Sequence, residues 1–129
     1  MRHRSLGPQS PHHFTGPSRR VVPDPAIAAY ARAATDGNMT VMQAATALND
    51  ALFRDMRFDP AATHVDTRAG DAFANRHGVC QDFTHVMITA LRAIGVPAGY
   101  VSGFLRTRPP EGQPRLEGAD AMHAWVTAW

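Results

Sequence analysis

The sequence predicts an α+β domain in which helices come first and antiparallel strands follow. Apolar residues recur at helical spacing in several segments between Pro25 and Ile94, each bounded by capping or helix-breaking residues. Two later runs, AGYVSGFLR and AMHAWVTAW, have strand composition and are parted by the polar loop TRPPEGQPRLEGAD. The order, helices and then strands, argues for α+β. At 129 residues the chain has room for a single core.

The elements follow in turn. Residues 1–24 are Pro-rich and basic, with little apolar content and no periodicity, so they predict a flexible arm; residues 25–129 form the core domain. His12 and His13 lie in this arm, where neighbouring histidines are not by themselves a metal site. PAIAAYARAATDG predicts a first helix, with Pro25 at its start and Gly37 at its end. Thr40 caps a second, VMQAATALNDALFRDMRFD, with Met42, Ala45, Leu48, Leu52 and Met56 as its apolar stripe and Pro60 as its close. Residues 61–67 are expected to be irregular or a short strand. Asp66 or Thr67 is expected to cap a brief helix, RAGDAFANRHG, ended by Gly78. From Cys80 to Ile94 the helical pattern is strong, through Phe83, Val86, Met87, Ala90, Leu91 and Ile94, and Gly95 with Pro97 stops it.

Composition narrows the function classes. No apolar run approaches the roughly 18 residues of a spanning helix, and the basic N-terminus has no apolar segment behind it. The expectation is a soluble cytoplasmic protein. All 13 basic residues are arginine and are spread along the chain, and the formal net charge is only +2. Without a basic stripe interleaved with aromatics, nucleic acid is not the expected partner. A lone cysteine forms no internal disulfide, which agrees with a reducing compartment.

That cysteine sits in HGVCQDFTH, where the long helix begins. The positive end of a helix and its unpaired N–H groups favour an anion, so a thiol placed there gains thiolate character. Gly78 lets the chain turn, and the following amides can face an oxyanion on an acyl substrate. A nucleophilic thiol also needs a base. His85, five residues on, is poorly aimed and is expected to pack; His77 precedes the turn with no scaffold to hold it. His123, on the strand-like run beside a tryptophan, is the better partner. Cys80, His77 and His85 as metal ligands match no ligand spacing, and neither metal nor organic cofactor is expected.

GVCQDFTHVMITALRAIGVPAGYVSGFL followed by GADAMHAWVTAW resembles the bacterial transglutaminase-like family, whose core is papain-like. The resemblance runs over about residues 16–129. It implies a cysteine peptidase, amidase or acyltransferase in which Cys80 is the nucleophile and His123 the general base and acid, acting on peptide or Gln-type amides through a thioester. Asp82 fits helix capping. The family's third catalytic residue is an aspartate on a following strand, in a motif this chain does not contain. Phe58-Asp59-Pro60 has the letters but lies upstream of Cys80, and Asp120, three residues before His123, would point to the opposite strand face. The sequence is therefore expected to lack the C-terminal strands and the N-terminal β-rich domain of the family. The alternative reading is a catalytically impaired fragment or degenerate relative that binds peptides or proteins.

Overall fold

The structure, a computed structural model, describes residues 7–61, 63–104, 108–109, 111–114 and 122–129. Four helices, α1 (Pro25–Ala34), α2 (Val41–Asp55), α3 (Ala69–Asn75) and α4 (Cys80–Ala93), are followed by the strands β3 (Ala98–Phe104) and β4 (Met122–Ala128). Two strands of two residues, β1 (Arg57–Phe58) and β2 (His77–Gly78), lie within the helical part. The expected α+β order of helices and then an antiparallel pair is what the molecule has.

The starts of α1 and α2 have local causes. The Asp24 carboxylate accepts from the Ala26 and Ile27 N–H groups at 2.9 and 3.0 Å, and Pro25 occupies the first helical position. In α2, Thr40 Oγ1 accepts from Gln43 N while Gln43 Oε1 accepts from Thr40 N, a reciprocal box. The buried face of α2 differs from the expected stripe: Ala44, Leu48, Ala51 and Leu52 are buried, whereas Met42 is 75% exposed. Met42 lies about 120° around the helix from Leu48 at 100° per residue, outside the buried stripe. The helix also stops at Asp55, leaving Met56 as a buried extended residue.

The capping of α3 is a further correction. Neither Asp66 nor Thr67 caps it: Asp66 pairs with Arg20 at 3.0 Å, and Thr67 Oγ1 accepts from His64 N. Arg76, not Gly78, ends α3, in a left-handed conformation at φ 58° with its guanidinium 3.9 Å from the Phe73 ring centre. Gly78 instead belongs to β2, which pairs in parallel with β1.

Helix α4 is the centre of the core. Val86, Ile88, Ala90 and Leu91 are fully buried, joined by Ile27 and Ala31 of α1 and Leu48 of α2. Its end forms a Schellman turn, with Gly95 at φ 84°, Gly95 N donating to Arg92 O and Val96 N to Leu91 O. Strands β3 and β4 pair from Ala98↔Ala128 to Phe104↔Met122. Ala98 is fully buried, and Val126 and Ala128 pack on the core, so the face carrying these residues is the one turned to the helices. Residues 7–24, expected to hold no element, contain a 3₁₀ turn (Pro11–Phe14) and lie against the core: Phe14 stacks on Trp129 at 4.7 Å and Val21 is buried.

Candidate active site

The chain ahead of Cys80 is held from two sides. Arg57 N donates to Arg76 O and Asp59 N to Gly78 O, tying the segment before α4 to the end of α2. Asp82, in the first turn and only 1% exposed, accepts at one oxygen from Val79 N (2.8 Å) and the Thr63 hydroxyl (2.6 Å). Val79 has no polar side chain to cap the helix, so the carboxylate reaching back supplies the local order. The expected capping role of Asp82 is thus observed. Glycine at 78 has a different basis from the expected sharp turn: a Cβ there would lie 2.6 Å from Asp82 Cβ and 2.8 Å from its Oδ2.

Cys80 is the first residue of α4, half-buried, with its carbonyl accepting from the Thr84 hydroxyl. The N–H groups of Cys80, Gln81 and Asp82 belong to the first turn and have no partner within the helix. The thiol lines a cleft of about 660 Å³ whose walls are mostly apolar: Leu52, Phe53 and Phe58 on one side, Phe83, Met87 and Leu91 along α4, and Ala124 to Val126 with Ala128 on β4. Asn49, Thr46 and Thr84 are its polar groups. A bound amide would therefore meet free backbone donors beside a sulfur in a hydrophobic trough.

His123 is the second residue of β4, half-buried and opposite Gly103. Its neighbours Ala124 and Trp125 line the Cys80 cleft. Strand alternation gives His123 the face it shares with Trp125 and Thr127, whereas Val126 and Ala128, on the other face, pack toward α4. The fold brings the two segments to one cleft, which Trp125 lines from the face of His123 and Val126 and Ala128 line from the other.

The other candidates separate. His77 lies in β2, half-buried, beside Arg57 and Asp59 on a different cleft. His85 is buried and its ring lies 5.2 Å from that of Tyr100. Burial pushes its pKa below the usual histidine value; Asp82 opposes this and Arg20 adds to it. Tyr100 was not singled out from the sequence, yet it is the β3 side chain that meets α4 here. Burial, then the negative charges of Cys80 and Asp82, raise its phenol. Its only sequence signal is its period-two spacing from Ala98. Thr63 and its bond to Asp82 also gave no signal, since it lies in an irregular segment. Asp120 lies outside the described residues. Among those residues, no group of three His, Cys, Asp or Glu side chains is placed to hold a metal.

A cysteine opening the central helix of an α+β core, with an antiparallel pair packed on that helix, is the arrangement of papain-like and transglutaminase-like proteins. The model of the transglutaminase-like superfamily matches residues 28–129, and the chain belongs to that superfamily. It is 42% identical over 78 residues to an uncharacterised protein of Mycobacterium tuberculosis, a match covering 60% of this chain and 25% of that one. A Mycobacterium leprae protein is 41% identical over 71 residues, 54% of this chain and 25% of its own. The chain thus spans about a quarter of the length of these relatives. Among solved structures it is similar to a proposed cysteine protease from Cytophaga hutchinsonii, with a TM-score of 0.73 and 27% identity over 91% of this chain and 37% of that one. The periplasmic domain of TgpA from Pseudomonas aeruginosa shares the fold at a TM-score of 0.67 and 24% identity, over 97% of this chain and 44% of the other. No helix among the described residues is long and apolar enough to cross a membrane. With a periplasmic domain among the neighbours, the fold leaves the compartment open between cytoplasm and periplasm.

Proposed function

We propose that the chain carries a thiol acyl-transfer site acting on peptide or Gln-type amides, with Cys80 as nucleophile and His123 as general acid and base. The Cys80 thiolate adds to the amide carbon, and the oxyanion that forms is met by first-turn N–H groups of α4. The C–N bond then breaks, the imidazolium gives its proton to the departing amine, and a thioester remains on Cys80. Water or a second amine attacks that thioester, His123 takes the attacking proton, and the thiolate is released. Water gives hydrolysis or deamidation; an amine gives a cross-link. The observation that carries this reading is the half-buried sulfur at the start of the central helix, in a cleft walled by the residues that follow His123.

A second reading has its own support. The cleft beside Cys80 is walled mostly by apolar side chains, which favours a binding module that uses the same cleft without chemistry. Iodoacetamide alkylation of Cys80 followed from pH 5 to 9 separates the two. A site with an ion pair alkylates at a rate already level near pH 6, and His123→Ala moves the profile upward. A profile that rises only around pH 8.5, the same in both proteins, leaves the binding module.

A further inference from the structure

Helix α4 presents two lengthwise stripes to two clefts. Cys80, Thr84, Met87 and Leu91 line the apolar one; Gln81, His85, Ile88 and Arg92 line another, of about 420 Å³. The second is cationic. Its walls include Arg19, Arg20 and Arg92 and no carboxylate. Arg20 pairs with Asp66, which is 90% exposed and outside the cleft wall, and it also donates to Val65 O. Arg19 has no ion-pair partner among the described residues.

Arg92 is the most telling of the three. Its Nε and Nη2 donate to Ala98 O at 3.0 and 2.8 Å, and Nη1 donates to Gly16 O. Three of the five N–H groups of the guanidinium are used, and two remain. The acceptors are neutral carbonyls, so the guanidinium is fixed in place while its charge is left unbalanced. Burial lowers its pKa, the mark of a cation drawn from water without a counter-ion. Tyr100 closes the same cleft, and its raised pKa keeps the phenol protonated and able to donate. An immobilised arginine, two further arginines and a phenol facing one space make a receptor for a planar oxyanion, which guanidinium binds in a bidentate manner.

The geometry points to a carboxylate subsite: the cleft between the Ser18–Val21 segment, α4 and Tyr100 binds a carboxylate of the peptide whose carbonyl lies at Cys80. Gln81, directly after Cys80, lines this cleft, so the two clefts lie along neighbouring stripes at the start of α4. That the anion belongs to a substrate rests on the acyl-transfer reading; that the cleft takes a carboxylate does not.

Calorimetric titration of the full chain tests it with four probes: N-acetyl-trialanine with a free terminal carboxylate, its terminal amide, the same amide with a central glutamate, and inorganic phosphate. A carboxylate peptide should bind at least about tenfold more tightly than the neutral amide, and whichever acid does so identifies terminal or side-chain recognition. The advantage should shrink several-fold in Arg19→Gln, whose side chain has no ion-pair partner among the described residues, and shrink further in Arg19→Gln/Arg20→Gln, read on protein whose melting curve shows it folded. It should persist in Cys80→Ser. Equal binding of acid and amide overturns the proposal, as does binding of phosphate with no discrimination among peptides. If the acid preference holds in both wild type and Cys80→Ser while no peptide is turned over, the carboxylate subsite stands and the acyl-transfer reading falls.

Discussion

The starts of α4 and β4 bear the two residues on which the chemistry depends, and they are built in opposite ways. At α4 the chain leading into Cys80 is secured: Asp82 holds Val79 N–H and the Thr63 hydroxyl, Gly78 presses on Asp82, and Asp59 N–H closes on Gly78 O. At β4, His123 is set by one ladder, to β3, and its flanking pair Met122 and Phe104 are 64% and 66% exposed. The nucleophile is over-determined by tight, buried contacts. The base depends on a register alone, and one ladder leaves more freedom to reorient when a ligand occupies the cleft. Substitutions at the two ends should therefore behave unlike each other.

The largest effect is expected at Gly78→Ala. The new methyl would meet Asp82 Cβ at 2.6 Å, and the carboxylate cannot move off without losing both its bonds. A cost of about 3 kcal/mol follows, read as a fall of about 10 °C in melting temperature. A fall below about 3 °C would mean that this end of the helix gives way easily, and the contrast with β4 would collapse. Asp82→Ala comes next, at about 2 kcal/mol, because it strands the half-buried Val79 N–H and Thr63 hydroxyl. Thr63→Val, which leaves the Val79 bond intact, should cost about 1 kcal/mol in urea melts. At the other end, His123→Ala should shift stability by under about 0.5 kcal/mol while it abolishes any fast alkylation of Cys80 at pH 6. A large loss of stability there would show that β4 is as firmly built as α4.

The same contrast governs what could be read from the chain beforehand. The span of α4 was legible because its signals are local: apolar residues at three and four, Asp82 three residues beyond Val79, Gly95 and Pro97 at the end. The antiparallel pair was legible too, from two runs of strand composition. The pairing of β1 with β2 was not, since two-residue strands carry no period and their partners lie 20 residues apart. Of the expected α2 stripe Met42 alone departs: Leu48, Leu52 and Met56 are buried and Ala45 packs on the core, while the angular position of Met42 puts it in solvent. The face of His123 could not be read either, because it depends on which strand face meets α4. Arg92 carried no sequence signal, because only the folded chain brings Gly16 and Ala98 to its guanidinium.

The smallest effect is the pH dependence carried by His85, among the described residues the one buried histidine. Burial lowers its pKa in the folded state below 6.5, the Arg20 charge lowers it further, and Asp82 pulls the other way without prevailing. The unfolded chain therefore takes up a proton at this residue before the folded one does. Stability contributed by the neutral ring is full above pH 6.5 and is lost as the pH falls from there toward the folded pKa. Urea midpoints at pH 7.5 and 5.5 should show a larger acid loss in the wild type than in His85→Leu, the other six histidines being common to both proteins. Equal losses would mean that Asp82 offsets the burial of the ring entirely, and that the start of α4 holds His85 as a charged partner of Asp82 and not as a neutral packing group.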